Sequence, residues 1–227
     1  MSLLDLLFPH KCLGCGETGS YFCSNCLNYL TLESQRICPV CERPSIGGIT
    51  HPSCSNLYSL DGLTSIFSYQ GVIKKGIIKL KYKFLSDLAS DLAEAFLSFC
   101  GEDKKFRSFC EQQDVYLVPI PLHHQREKWR GFNQSELLGK MIAKNLGIGF
   151  EPNLLVRIKN TTSQAKLKEK ERKENIKGAF DVKSEVEIPL NVFLFDDVWT
   201  SGATLKEAGR VLKKSGARKV WGLTLAR

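Results

Sequence analysis

Cysteine spacing limits this chain's folding options more than any other feature. Seven of its nine cysteines fall between Cys12 and Cys54, and six of these form the pairs Cys12/Cys15, Cys23/Cys26 and Cys38/Cys41. His51/Cys54 repeats the two-residue gap with histidine in the first slot. A C-x-x-C turn aims two thiolates at one point, and two such turns make the tetrahedral donor set of Zn²⁺. Eight ligands in four knuckles allow two ions. The pairing is either sequential (Cys12, Cys15, Cys23, Cys26; then Cys38, Cys41, His51, Cys54) or crossed, and one occupied site also fits the spacing. A closed four-ligand site is structural, because a catalytic zinc keeps an open position. The competing readings are free or redox-active thiols, with His51 a surface residue beside Pro52.

The odd cysteine count and pairwise rhythm argue against a disulfide framework and for a reducing compartment. Met1–Phe8 is apolar but short, with no basic stretch and no small-residue cleavage site, so it does not read as a signal peptide. It is expected to pack as a helical turn or arm, and the protein to be cytoplasmic. No apolar run nears the ~20 residues of a membrane span, so no membrane insertion is expected.

Residues 10–56 carry few long apolar runs, and so small a body needs a staple. From Leu57 the pattern changes, which divides the chain into a zinc-ribbon module (1–56) and an α/β domain (57–227). Residues 63–69 alternate as a strand, residues 72–82 form an amphipathic helix with a basic face, and residues 86–100 form a second helix closed by Gly101. Cys100 sits on that helix's apolar face, and Cys110 has no evident partner. Residues 102–113 read as a charged connector. A buried strand at 115–121, a basic loop at 123–130 and a helix at 134–146 follow. Strands at 191–195 and 219–226 flank a helix at 202–215. Alternating strands and helices imply a mostly parallel, twisted sheet flanked by helices.

The strongest chemical signal is Val192-Phe193-Leu194-Phe195-Asp196-Asp197-Val198-Trp199-Thr200-Ser201-Gly202-Ala203-Thr204. Four buried apolar residues end in two carboxylates, then a small hydroxyl-rich turn, then a helix. Ligands of open α/β sheets bind at the carboxyl ends of strands, and a helix start offers free N–H groups to phosphate. Adjacent acids would repel a phosphate, so they suit ribose hydroxyls. The bland alternative is a capped helix after an Asp-Asp turn.

This segment resembles the 5-phosphoribosyl-1-pyrophosphate (PRPP) signature of type I phosphoribosyltransferases. The resemblance implies that Asp196 and Asp197 hold the ribose hydroxyls, while Thr200, Ser201, Gly202, Ala203 and Thr204 cradle the 5′-phosphate; Val198 is counted among the PRPP-binding residues with them. Adding the zinc module, Leu80-Lys81-Tyr82, Val118-Pro119-Ile120-Pro121-Leu122, Arg130-Gly131-Phe132-Asn133-Gln134, Gln164, Arg172, Asn175 and Gly178-Ala179-Phe180, the chain resembles the ComF (ComFC) family of competence proteins along nearly its whole length. Two departures stand out: His51, where the family more often has Cys, and Trp199, where a smaller residue is usual.

Pro119 and the basic loop after it occupy the place of the pyrophosphate loop. Arg126, Lys128 and Arg130 can neutralise pyrophosphate, arginine bidentately, or they form a solvated loop. Asp196, Asp197 and Arg130 are the candidate catalytic residues. His123 and His124 read as surface residues, and Asn133 as a helix cap. Residues 157–177 hold eight Lys/Arg against three Glu. This stretch resembles the family's flap over PRPP, and it also fits a solvated face or a single-stranded nucleic-acid contact. The net charge of +8 favours anionic partners.

Two functions follow. One is a Mg²⁺- and PRPP-dependent phosphoribosyltransferase of unknown acceptor. The other is a non-catalytic, PRPP-sensing accessory protein that binds single-stranded DNA. The resemblance implies a role in natural transformation, with a DNA-import helicase as partner.

Overall fold

The computed structural model describes residues 10–82, 86–161 and 169–227. The expected arm at Met1–Phe8 lies outside them, as do Gln164, Lys166 and Lys168.

Among the described residues, the cysteine-rich segment contains one short helix, α1 (Ser24–Asn28), and single 3-10 turns at Ile46–Gly48 and Pro52–Cys54. Five parallel strands make the main sheet: β1 (Gly62–Phe67), β2 (Val115–Pro119), β3 (Gly149–Phe150), β6 (Asn191–Val198) and β7 (Lys219–Ala226), in the order β1-β7-β6-β2-β3. A separate antiparallel pair joins β4 (Leu155–Arg157) to β5 (Phe180–Val182). The expected α/β architecture is thus present.

Side chains on β6 alternate between two cores, as a pleated strand requires. Phe193 and Phe195 face a cluster built on α2 (Gly71–Tyr82), α3 (Ser86–Cys100) and α6 (Gln134–Leu146). Val192 and Leu194 face a second cluster built on α8 (Ala203–Lys214). Leu205 and Leu212 of α8 are almost fully buried. Burial on that scale is worth roughly 1.5–3 kcal/mol per side chain, so packing rather than propensity fixes the helix.

Two stretches depart from the sequence reading. Residues 102–113 contain α4 (Lys104–Cys110), whose first turn is capped by the Asp103 carboxylate accepting from the Lys105 and Phe106 N–H groups. Its Phe106 and Phe109 pack against Phe193. The basic stretch 123–130 is a helix, α5 (His124–Arg130), and not a loop. His123 is buried and caps α5 through Nδ1, which accepts from the Gln125 N–H, so it is no surface residue. Both elements are too short for their periodicity to show in sequence; their caps define them. The charged stretch continues into α7 (Glu169–Ile176).

The cysteine-rich segment lies along the sheet's edge. Leu32 bridges antiparallel to Phe67 and Ile49 to Gly62, covering the outer side of β1. An exposed strand edge is a template for aggregation, and this segment occupies it.

Candidate functional site

The thiols gather into two groups, Cys12/Cys15/Cys23/Cys26 and Cys38/Cys41/His51/Cys54, with ligand atoms in each group within 4.8 Å of one another. The pairing is therefore sequential, not crossed. Cys15 Sγ lies 3.5 Å from Cys23 Sγ, and His51 Nδ1 lies 3.3 Å from Cys41 Sγ. A tetrahedron with ~2.3 Å Zn–S bonds has edges of about 3.8 Å, so the donors already stand near that spacing. His51 Nε2 is 3.0 Å from the Pro44 carbonyl. An N–H donated there leaves the Nδ1 lone pair facing the thiols, the usual arrangement behind a metal-bound histidine. Burial works against the Cys12 thiolate, but backbone N–H groups of Cys23, Cys15 and Gly14 outweigh it and bring the thiol down to about 6. The Arg43 guanidinium brings Cys41 down to about 6. Both donor sets fit structural zinc.

The second site lies where the sheet's connections part. The chain leaves β2 for α6 on one face and leaves β6 for α8 on the other, which opens a crevice between the two carboxyl ends. A cavity of about 530 Å³ sits there, within the roughly 300–1,000 Å³ usual for small-molecule sites. Asp196 and Asp197 lie on its floor, with Val198, Thr200, Gly202, Ala203 and Thr204 beside them and Arg126 and Arg130 also lining it. Ser201 is buried beneath the loop, its Oγ without a hydrogen-bond partner among the described residues. Pro119 is buried at the end of β2, behind the cavity wall. Lys128 projects from the exposed side of α5 and does not reach the cavity, a consequence of the helix that replaces the expected loop.

Two lining residues given no role on sequence grounds stand out. Lys81, at the end of α2, places Nζ 2.6 Å from Asp197 Oδ2. Burial disfavours its ammonium, but the Asp197 carboxylate more than offsets this and raises it above the ordinary lysine value. Arg157, on β4, stacks over the Phe180 ring and donates to the Thr161 hydroxyl. Burial, and then repulsion from Arg126, brings it down to about 10. Both were charges in basic stretches, and only tertiary packing turns them inward. Burial and the neighbouring Asp197 charge push Asp196 up to about 7 against the pull of Lys81.

The Arg130–Gln134 motif now has a structural meaning. Gly131, at φ 84°, ends α5 in the left-handed region that glycine tolerates. Asn133 starts α6: its Oδ1 accepts from the Ser135 N–H at 3.0 Å, and its Nδ2 donates to the Ile120 carbonyl at 3.0 Å. Ser135 Oγ in turn donates to Asp196 Oδ1 at 3.1 Å, and Gln134 Oε1 accepts from Arg130. The motif ties the acid floor to the basic wall.

The turn at residues 199–204 is shaped by close packing. Gly202 has φ 66°, and a Cβ there would come within 2.1 Å of the Trp199 ring. The bulky Trp199 therefore packs beneath the loop, only 2% exposed, and a glycine must sit on it. The N-cap of α8 is Gly202, which has no side chain to cap the first turn, and the first N–H groups of a helix favour an anion.

The chain is similar in sequence to known proteins. Residues 3–56 match the model of the double zinc ribbon domain. The chain is 30% identical over 223 residues to Competence protein F of Haemophilus influenzae, covering 96% of this chain and 86% of that protein. It is 31% identical over 209 residues to DNA utilization protein YhgH of Salmonella typhimurium, covering 88% of each. It is 30% identical over 213 residues to Competence protein ComFC of Bacillus subtilis, covering 90% of this chain and 83% of that protein. Likeness of this extent, running through both the ribbon and the sheet, means that the chain belongs to the ComF family of competence proteins.

Proposed function

We propose that the cavity binds PRPP, that the protein is phosphoribosyltransferase-like, and that it serves DNA uptake on the cytoplasmic side; the competence role is supported by the names of its relatives, Competence protein F and Competence protein ComFC. The observation that carries this reading is the polarity of the cavity. An acid pair at the end of β6 and the start of α8 share it with Arg126, Arg130 and Arg157. Among the described residues, no carboxylate comes within 4.0 Å of those three guanidinium groups. Three half-buried arginines beside an acid pair, with no carboxylate in ion-pair reach among the described residues, favour an anionic ligand.

In this reading Asp196 and Asp197 accept from the ribose hydroxyls, and Lys81 gives way as they do. The N–H groups of residues 202–204 and the hydroxyls of Thr200 and Thr204 hold the 5′-phosphate. Arg126, Arg130 and Arg157 take the pyrophosphate, with any Mg²⁺ arriving bound to it as part of the substrate. On attack, the C1′–O bond to pyrophosphate breaks, the leaving group keeps the electron pair, and the acceptor bonds to C1′. Positioning and electrostatics supply the rate, with no covalent enzyme nucleophile. The test is calorimetric titration with PRPP and Mg²⁺ against an Asp196→Asn/Asp197→Asn variant. Micromolar binding that disappears in the variant supports the reading; no binding by folded, zinc-loaded wild type sinks it.

A second reading, as a single-stranded DNA-binding accessory protein working beside an import helicase, draws on the cavity mouth. There Tyr82 and Trp129, 67% and 73% exposed, meet edge to face at 6.3 Å. Exposed aromatic faces beside basic residues suit base stacking. Binding of single-stranded DNA that weakens steeply with salt and again in Trp129→Ala favours this reading; salt-insensitive or absent binding counts against it.

A further inference from the structure

The knuckle that opens each metal site, Cys12/Cys15 in the first and Cys38/Cys41 in the second, shares one backbone feature but fills it with different residues. In each, the residue after the second cysteine lies in the left-handed backbone region, and its N–H donates to the carbonyl of the first cysteine. The first knuckle places Gly16 there, at φ 83° with N···O 3.0 Å to Cys12. The second places Glu42 there, at φ 61° with N···O 2.9 Å to Cys38. Glycine adopts this conformation freely, whereas a glutamate is strained by it.

The Glu42 side chain uses the position. Its Oε1 lies 2.7 Å from Lys206 Nζ. Lys206 is the fourth residue of α8, in the first turn, where the helix dipole disfavours a cation. Its Nζ also lies 3.4 Å from the Ser201 carbonyl and 5.2 Å above the Trp199 ring. One ammonium thus touches the second knuckle, the backbone of the loop and the indole beneath it. Each partner occupies a locally unfavourable place, and the contact between them is what the two placements share.

We propose that Glu42 and Lys206 are positioning residues that brace the 199–204 loop from the second metal knuckle, so that the order of that knuckle sets the loop's grip on a phosphate monoester. The inference rests on the reading of this loop as the 5′-phosphate seat. Neither side chain lines the cavity, so they act on the ligand through the loop.

The probes are ribose 5-phosphate and inorganic pyrophosphate, titrated separately into zinc-loaded protein. Glu42→Asn is the informative variant, because asparagine tolerates the left-handed region better than glutamate and does not reach Lys206. Its melting temperature should equal or exceed that of wild type, while ribose 5-phosphate affinity falls roughly three- to tenfold and pyrophosphate affinity stays within about twofold. Lys206→Met should match it, and the exchange Glu42→Lys with Lys206→Glu should recover part of the loss. Amide hydrogen exchange of residues 199–204, measured without ligand, should quicken in both single variants and when the second site is stripped of metal. Unchanged ribose 5-phosphate affinity, or equal loss for both probes, overturns the proposal. If wild type binds neither probe, the PRPP reading fails, and loop exchange alone decides the brace: faster exchange supports it, unchanged exchange refutes it.

Discussion

Asp196 carries most of the electrostatic strain in the cavity. Its carboxyl group is pushed from the ordinary 3.8 to about 7, by burial first and by Asp197 second. Between those values the folded chain holds a proton that the unfolded chain has released. Stability therefore falls as pH rises from about 4 to about 7, and this group's contribution is flat above that. Asp196→Asn removes the titration. We expect its melting temperature to exceed that of wild type by a few degrees at about pH 8, with the gap closing near pH 4, in thermal scans across that range. PRPP binding should be lost in the same variant, which would make Asp196 a residue kept for function at the expense of stability. Gly202 is constrained by shape instead. Gly202→Ala must strain a left-handed backbone and displace the Trp199 ring. A loss of roughly 1–3 kcal/mol of stability is expected in denaturant unfolding, together with loss of ribose 5-phosphate binding.

Short capped helices decide which charges reach the site. As a loop, residues 123–130 could have offered all three basic side chains to a ligand. As α5 they are sorted by the helical period: Arg126 and Arg130, four residues apart, share the cavity face, while Lys128 is exposed. Arg126→Ala should weaken pyrophosphate binding at least tenfold, and Lys128→Ala should leave it within about twofold, by calorimetry at one fixed salt concentration. Equal losses in the two variants would mean that long-range charge matters more than contact. The long elements were legible because their apolar periods repeat: α3 and α6 run over Ser86–Cys100 and Gln134–Leu146, as the pattern indicates. α4 and α5 were not, because seven residues give fewer than two full turns of period.

Across the whole molecule, the cysteine-rich segment is joined to the sheet. Tyr21 and Phe22 belong to the same buried cluster as Phe67 and Ile77, and Ile37 belongs to the other. Gly76 of α2 lies where a Cβ would come within 2.9 Å of Phe22. Elemental analysis should find two zinc ions per chain, and one in Cys38→Ser. Chelation should lower the melting temperature and expose the β1 edge, read as light scattering that rises with protein concentration. Stable, monodisperse metal-free protein would show that the segment holds its place without metal. Among the described residues, no helix is long and apolar enough to cross a membrane.

The sequence by itself determined what depends on local order. The two-residue cysteine steps name the metal ligands, the unbroken run Val192–Phe195 ending in two acids names the strand and its carboxyl end, and Gly202 names a tight turn. It left open whatever depends on residues far apart in the chain. The sequential metal pairing, the Lys81–Asp197 ion pair at 2.6 Å, the inward turn of Arg157 and the contact from Glu42 to Lys206 across 164 positions all required the packed molecule. A repeating pattern reports which face of an element is buried. Which distant charge meets that face follows from strand order and from the close fit of the core, and only the tertiary structure holds that information.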